Sequence, residues 1–251
     1  MSRSRRIICL SAEAADWLWR IGAWEQVVAV TTFYKRPPEA SPRPRVSGFN
    51  TAKLDEIEKL DPDLVITFSD VQAEIAAKLI RRGLTVLATN QRTLAEVEAT
   101  LELLGCIVGH EAESAQQLAQ FRKLLAPVPR ISARPRVYFE EWNEPLICGI
   151  AWVSELIERA GGADVFAELR SKTSAAERQV EPDAVRARNP EVILASWCGR
   201  PVRMGDIVSR PLWDSIQAVK SGPVHELPGE DVLQPGFRLV FGYQRIKQLL
   251  Q

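Results

Sequence analysis

The chain has 251 residues, of which 46% are hydrophobic and 25% charged, so it can bury the core of an ordinary globular protein. Its 32 Lys and Arg residues balance 32 Asp and Glu residues, and this zero net charge argues against broad binding of nucleic acid. No apolar run approaches the ~20 residues that a membrane-spanning helix needs.

The N-terminal residues predict a strand and not a signal peptide. The basic stretch Ser2–Arg6 is followed at once by the apolar run Ile7–Leu10, which is too short for a signal-peptide core. The four cysteines form no CxxC motif, so we expect unpaired thiols without a metal or redox role. Free thiols are typical of a reducing compartment.

The first half of the chain alternates between strand and helix patterns, with helices that end near Gly22, Gly83 and Gly105. The apolar runs predict strands at 7–10, 27–30, 64–67 and 84–88, and the helical spacings predict helices at 13–21, 53–60, 72–82 and 93–104. Four prolines between Pro37 and Pro44 predict a loop. This alternation is typical of a parallel sheet covered by helices.

The segment from Glu111 to Leu125 has apolar residues at helical spacing and is followed by prolines instead of a strand. We interpret it as a helix that leaves one lobe and carries the chain to another. The second half then predicts strands at 136–139, 192–195 and 223–227 and helices at 152–160, 182–188, 206–216 (in part) and 237–250.

One phrase occurs in both halves of the chain. Asp61-Pro62-Asp63 precedes the aliphatic run Leu64–Ile66, and Asn189-Pro190-Glu191 precedes the run Val192–Leu194. The repeat predicts an α/β protein with two similar, Rossmann-like lobes, each with a parallel sheet, and the 111–125 segment is the long helix that would join them. We expect an N-terminal lobe over 1–110, a connecting helix over 111–128 and a C-terminal lobe over 129–251.

The common catalytic motifs are missing from the sequence. It contains no GxSxG, GxxxxGK[ST] or GxGxxG, and neither His110 nor His225 has a second ligand at metal-binding spacing. The adjacent Glu140 and Glu141 would point to opposite faces of a strand, so we expect them to be solvated charges. The sequence therefore predicts neither catalytic residues nor a metal site.

Aromatic residues instead follow the strands, where α/β proteins place their ligands. These residues are Phe33, Tyr34, Phe68, Trp142 and Trp197. Large flat side chains suit a large, partly apolar ligand in a cleft between two lobes.

The chain resembles the substrate-binding proteins of cobalamin and iron-siderophore ABC importers, the class with a rigid helical backbone. The resemblance lies in Arg6-Ile7-Ile8-Cys9-Leu10-Ser11, Leu60-Asp61-Pro62-Asp63-Leu64-Val65-Ile66, Leu103-Leu104-Gly105, Pro145-Leu146-Ile147-Cys148-Gly149, Ala160-Gly161-Gly162 and Asn189-Pro190-Glu191-Val192-Ile193, in this order. It implies binding without catalysis, little closure on binding, and two lobes bridged by one helix.

The resemblance also implies one exposed acid on each lobe that docks on a membrane permease. Glu74 matches the first acid by its position in the helix after the 64–67 strand. Asp206 is the candidate for the second, with Glu177 as an alternative.

The chain departs from the family pattern at two places. Family members carry an export signal or a lipid-anchor cysteine, and this chain shows neither, so the compartment is left open. The family motif Arg-Pro-Gly-Pro-Arg before the last helix reads Gln234-Pro235-Gly236-Phe237-Arg238 here.

The leading hypothesis is a monomeric protein that binds a corrinoid, ahead of a ferric siderophore or haem, without a cofactor of its own. Tyr34, Phe68, Trp142 and Trp197 would pack on the ligand, and Arg200 or Arg36 would meet its polar edge. A siderophore with several negative charges would need converging arginines, for which Arg200, Arg203 and Arg238 are available.

Two alternatives remain open. One is a cytosolic corrinoid or tetrapyrrole handler or sensor that reuses the fold, which the free thiols favour. The other is a chelatase-like enzyme, which would need a histidine or glutamate beside the metal.

Overall fold

The computed structural model describes residues 5–129, 134–222 and 224–251. Its contacts divide the chain into two units. The first contains the residues up to Gln91 together with Ala95–Phe121, and the second contains Arg92–Leu94 together with Arg122–Gln251. The last helix of the first half spans Glu111–Leu124, and the division falls within it, after Phe121.

The first half of the chain contains five strands and five α-helices among the described residues. The strands are β1 (Ile7–Cys9), β2 (Val27–Thr31), β3 (Arg45–Ser47), β4 (Leu64–Phe68) and β5 (Val86–Thr89). The helices are α1 (Ala12–Arg20), α2 (Leu54–Lys59), α3 (Ala73–Arg81), α4 (Leu94–Val108) and α5 (Glu111–Leu124).

The five strands form one parallel sheet in the order β3-β2-β1-β4-β5. Ile8, Leu10 and Val65 pack on one face of this sheet with Ile57 of α2 and Leu79 of α3. Because helices cover the sheet, the central strands β1 and β4 are apolar apart from the buried Thr67 and do not alternate, as is typical of parallel sheets.

The second half contains another sheet. Its strands are β6 (Arg136–Asn143), β7 (Leu146–Cys148), β8 (Ala163–Asp164), β9 (Val192–Ala195) and β10 (Val224–Glu226). Its helices are α6 (Ala151–Arg159), α7 (Pro182–Arg188), α8 (Met204–Val208), α9 (Gln217–Ser221), α10 (Gly229–Val232) and α11 (Leu239–Leu250). The order is β10-β9-β6-β7, with β8 beside the start of β6, and β7 is the antiparallel member.

The repeated phrase forms the same structure in both units. Asp61 and Asn189 both have a positive φ, of 46° and 44°. In the first unit, the Asp63 carboxylate accepts the backbone N–H of Arg6 at 2.7 Å, and the Asp63 N–H donates to the Arg6 carbonyl at 2.8 Å. These bonds hold the start of β4 against the start of β1.

The second unit repeats these bonds with different residues. The Glu191 carboxylate accepts the Arg136 N–H at 2.9 Å, and the Glu191 N–H donates to the Arg136 carbonyl at 2.8 Å. The guanidinium of Arg136 donates to the carbonyl of Asn189 at 3.0 Å. In each unit, the repeated phrase therefore fixes the register of two neighbouring parallel strands.

The predicted α/β class with parallel sheets is confirmed, while several element boundaries differ from the predictions. Helix α4 continues through Gly105 to Val108. Gly105 is needed there because a Cβ atom would lie 2.4 Å from Oγ of Ser114 on α5. Strand β6 continues to Asn143, so Trp142 lies inside the strand and not after it. The predicted strand start at Pro223 lies outside the described residues.

Candidate ligand-binding surfaces

In the first unit, the strand order reverses between β1 and β4. After β1, the chain adds β2 and β3 on one side of β1. It then crosses to the other side, where β4 pairs with β1. Ligands of open α/β sheets bind outside the carboxyl ends of strands at such a point. The residues that follow β1, β2, β3 and β4 are therefore the first place to look for a binding surface.

Exposed apolar side chains cluster in these segments. Phe33 follows β2 and is 41% exposed, Phe49 follows β3 and is 48% exposed, and their rings meet edge to face with centroids 6.1 Å apart. Phe68 ends β4 and is half-buried, and Val71 beyond it is exposed. We call Phe33, Phe49, Phe68 and Val71 the phenylalanine wall. Exposed apolar side chains at functional positions indicate a binding surface.

A buried glutamine holds two members of the wall in place. The side-chain oxygen of Gln72 accepts the Phe68 N–H at 3.0 Å, and its nitrogen donates to the carbonyls of Leu10 at 3.1 Å and Phe49 at 3.2 Å. The turn before it is strained, because Ser69 has a φ of 58°. The sequence analysis missed both Gln72 and Phe49, since the short strand that precedes Phe49 was not predicted.

Tyr34 and Arg36 do not present their side chains as predicted. Tyr34 is 3% exposed, and its ring packs on Trp24 with centroids 5.5 Å apart, so it lies in the core. A ligand contact by Tyr34 would require its ring to leave this packing. The Arg36 guanidinium donates to the carbonyls of Pro37 and Pro38 at 3.3 and 3.4 Å and to Ala40, within its own loop.

A buried carboxyl group lies in the first turn of α1. Glu13 is 7% exposed, and burial raises the pKa of its carboxyl group to about 7. The structure thus places a titratable group beside the carboxyl end of β1.

In the second unit, two predicted site residues come together. The guanidinium carbon of the exposed Arg200, after β9, lies 5.1 Å from the ring centroid of Trp142, near the end of β6. The Trp142 indole N–H donates to the carbonyl of Glu144 at 2.9 Å, which fixes the tilt of the ring. This stacked arrangement is a cation–π contact.

Trp197 lies in the core of the second unit and not on a surface. It is 2% exposed, and its indole N–H donates to Oε1 of Glu140 at 3.0 Å. The carboxylate of Glu140 also accepts two bonds from Arg210, at 2.5 and 2.9 Å. Burial of the ring argues against direct contact of Trp197 with a ligand.

The expectation that Glu140 and Glu141 are solvated charges is wrong. Glu140 is 0% exposed and paired with Arg210, while Glu141 receives two bonds from the buried Arg178 at 2.7 and 3.0 Å. The two carboxylates have separate partners, as expected from alternation along a strand. Their partners lie 37 and 70 positions away, so the local sequence does not indicate the pairing.

The described residues contain no group of three or more His, Cys, Asp and Glu side chains that could hold a metal ion. His110 lies 3.8 Å from Glu113 in the turn between α4 and α5. His225 lies in β10, where burial lowers its pKa. Cys198 follows β9, where burial raises its pKa to about 11, so its thiol is a poor nucleophile.

The predicted docking acids are all exposed. Glu74 lies in the first turn of α3, and it forms no ion pair with any other residue that the structure describes. Asp206 on α8 is 3.1 Å from Arg203. Glu177 accepts the hydroxyl of Ser174 at 2.7 Å and lies 3.9 Å from Lys172. Across the described ranges, no helix combines the length and apolar character that crossing a bilayer requires.

Comparison with known proteins gives consistent matches over most of the chain. The family model described as periplasmic binding protein matches residues 7–230. A cobalamin-binding protein of Halobacterium salinarum is 28% identical over 204 residues, covering 77% of this chain and 54% of that protein. A vitamin B12-binding protein of Vibrio cholerae is 28% identical over 200 residues, covering 77% of this chain and 71% of that protein. This chain thus spans about half the length of the Halobacterium relative.

Solved structures show the same fold. The periplasmic vitamin B12-binding protein of Vibrio cholerae superposes with a TM-score of 0.70 at 24% identity, covering 98% of this chain and 96% of that one. The periplasmic haem-binding protein of the same organism gives a TM-score of 0.81 at 16% identity, covering 98% and 99%.

Proposed function

Because this chain belongs to the periplasmic binding protein family, we propose that it is a solute-binding protein that captures a corrinoid for an ABC importer. The ligand packs on the aromatic side chains that follow the strands and is released unchanged. The protein needs no metal ligands or cofactor of its own, since a corrin already holds its metal.

The observation that carries this proposal is the phenylalanine wall. Three aromatic rings and a valine stand exposed or half-exposed at the carboxyl ends of consecutive strands, where burying them would be favourable by roughly 25 cal/mol per Å². A soluble domain keeps such a surface when a ligand covers it. In the second unit, Trp142 offers a further flat face at the carboxyl end of β6.

The names of the relatives support the choice of ligand class. Proteins named as cobalamin-binding and vitamin B12-binding match 77% of this chain, while haem-binding proteins share its fold at lower identity. A corrin is large, planar and mostly uncharged at its faces, which suits a surface built from phenylalanine and valine side chains.

Transport requires docking on a membrane permease, and two exposed acids are candidates for the docking contacts. Glu74 and Asp206 lie on helices α3 and α8 in different units, and both would meet basic residues of a permease. We further propose that the protein works as a monomer and binds no nucleic acid, consistent with its zero net charge.

The direct test is a titration of purified protein with cyanocobalamin, followed by tryptophan fluorescence and by the corrin absorption. We expect saturable binding by the wild type, and about tenfold weaker binding by Phe49→Ala because an apolar contact is lost. The matched control is Ile80→Ala, which truncates an apolar side chain that is 60% exposed near the C-terminal end of α3, outside the phenylalanine wall. No binding at tens of micromolar would refute the corrinoid assignment.

The same samples separate binding from catalysis. A binding protein returns the corrin with an unchanged absorption spectrum after denaturation, whereas a chelatase-like enzyme would insert or remove the metal and change the spectrum. Uptake assays with a co-expressed permease separate an importer component from a cytosolic handler.

A further inference from the structure

Most cations near the carboxyl ends of the second sheet are already neutralised. The segments 165–181, 196–213 and 227–238 leave the ends of β8, β9 and β10 and contain seven Lys and Arg residues. Six of these form ion pairs: Arg170–Glu158, Lys172–Glu177, Arg178–Glu141, Arg203–Asp206, Arg210–Glu140 and Arg238–Asp231. A ligand with several negative charges would have to break these pairs to find partners.

Arg200 is the seventh cation, and it differs from the rest. Within the part of the chain that the structure describes, its guanidinium has neither an ion-pair partner nor a hydrogen-bond partner, and its planar group lies over Trp142. Stacking on an aromatic ring holds the guanidinium in place without occupying its N–H donors. The donors therefore remain available to a ligand, and the ring is fixed by its own bond to Glu144.

The first unit adds no free cation from the predicted set. The guanidinium of Arg36 is taken up by carbonyls of its own loop, and Arg45 donates to the carbonyls of Thr31 at 3.2 Å and Thr32 at 2.6 Å. These bonds to neutral carbonyls occupy N–H donors of Arg36 and Arg45 without cancelling their charge. Among these arginines, Arg200 is therefore the one whose guanidinium donors are unoccupied in the described part of the chain.

We infer that Trp142 and Arg200 form a subsite for one monoanionic phosphodiester group at the rim of an otherwise uncharged ligand. An arginine fork binds phosphate oxygens through two parallel hydrogen bonds, and one free arginine matches one negative charge. This inference rests on the proposed function. Among corrinoids it selects a complete cobamide, whose nucleotide loop contains one phosphodiester, over a cobinamide, which lacks that loop. Haem has two carboxylates and a catecholate siderophore has several negative charges, so both match a single free arginine less well than one phosphodiester does.

The test compares cyanocobalamin with dicyanocobinamide on wild-type protein and on Arg200→Gln. We expect Arg200→Gln to weaken cyanocobalamin binding about tenfold, as for loss of a charge-assisted hydrogen bond, and to leave cobinamide binding within about twofold. Added salt should weaken cyanocobalamin binding to the wild type and leave binding to the variant unchanged. Lys172→Gln is the control, because it removes an equal charge from a neighbouring loop.

Three outcomes would overturn the inference. Equal losses for both corrinoids would mean that Arg200 contacts the macrocycle, and no loss for either would mean that it contacts nothing. Tighter binding of haemin than of either corrinoid by the wild type would show that the available charge does not select the ligand. If the wild type binds no corrinoid, the proposed function itself is refuted. The comparison of wild type with Arg200→Gln tests the phosphodiester subsite alone.

Discussion

The indole N–H of Trp197 donates to Oε1 of Glu140 at 3.0 Å, in the core of the second unit. The two residues lie 57 positions apart: Glu140 lies within β6, and Trp197 follows β9, which pairs with β6. Arg210 closes the group with two further bonds to the same carboxylate. This arrangement places a full negative charge in the interior and compensates it from two sides.

Removing the Glu140 carboxylate should therefore destabilise the protein strongly. Glu140→Ala leaves Arg210 without its partner and the Trp197 N–H unsatisfied, and we expect a loss of about 3–5 kcal/mol in the free energy of unfolding. Urea denaturation measures this loss. Glu141→Ala is a useful comparison, because Arg178 keeps a bond to the carbonyl of Cys148. A loss under about 1 kcal/mol for Glu140→Ala would contradict the structure.

Trp197 was predicted to contact the ligand, and its burial leads to a different expectation. Trp197→Ala should lower the free energy of unfolding by about 3–5 kcal/mol through cavity formation. Trp197→Phe should cost less, since it keeps an aromatic ring and loses the hydrogen bond. Corrinoid affinity should be unchanged in Trp197→Phe under conditions where the variant is folded. A selective loss of affinity in this variant would restore the ligand contact.

Gln72 should matter for both stability and binding. Gln72→Ala removes three hydrogen bonds that connect Leu10, Phe49 and Phe68, and we expect a loss of about 1–3 kcal/mol. Because Phe49 is then held less firmly, corrinoid affinity should also fall. Val71→Ala, one position earlier and exposed, serves as the control for stability. Unchanged affinity in a folded Gln72→Ala protein would show that the wall does not depend on this side chain.

The buried Glu13 makes stability depend on pH. Its pKa is raised from 4.5 to about 7 in the folded state, so the folded protein binds the proton more tightly than the unfolded chain does. The stabilisation is complete below pH 4.5 and is lost as the pH rises through 7, an effect on the order of 3 kcal/mol. Urea midpoints measured between pH 4.5 and 8 should fall more steeply for the wild type than for Glu13→Gln.

The difference between these two proteins isolates Glu13 from other groups. Burial also raises the pKa of Asp164, which acts in the same direction in both proteins. Parallel pH profiles for the wild type and Glu13→Gln would show that Glu13 does not titrate in this range.

The docking prediction separates transport from binding. Glu74→Lys and Asp206→Lys reverse exposed charges on α3 and α8 at residues outside the phenylalanine wall and the Trp142–Arg200 pair, so corrinoid affinity should change far less than uptake. Uptake through a co-expressed permease should fall several-fold for each variant and further for the pair. Glu56→Lys, on α2, is the control for a charge reversal at another exposed helix. Normal uptake by the double variant would exclude both acids from docking.

The sequence was informative where a physical signal is local. Apolar runs identified the central strands β1, β2, β4 and β9, and the family resemblance, confirmed by the match over residues 7–230, agrees with the α/β fold. Strand β3 was missed because it follows a proline-rich loop and two of its three residues, Arg45 and Ser47, are polar, so it contains no apolar run.

The candidate site was harder to predict because side-chain direction depends on neighbours. Phe33 and Tyr34 are adjacent aromatics at a strand end, yet one is exposed and the other buried against Trp24. The contact between Trp142 and Arg200 joins residues 58 positions apart, and it was predicted only as two separate ligand contacts. Salt bridges such as Arg210–Glu140 join residues that are far apart in the sequence. Only the structure therefore shows which arginine side chains are not already paired and can meet a ligand.

The hydrogen bonds of Gln72 have a consequence for communication with a membrane partner. Its side chain senses the position of Phe49, and only Ala73 separates it from Glu74 in the chain. A displacement of Phe49 by a bound ligand would act on Gln72, which lies two residues before Glu74, the proposed docking acid. A permease that binds Glu74 would then respond to a local change in the first turn of α3 when a ligand binds. This response would not require a whole lobe to move.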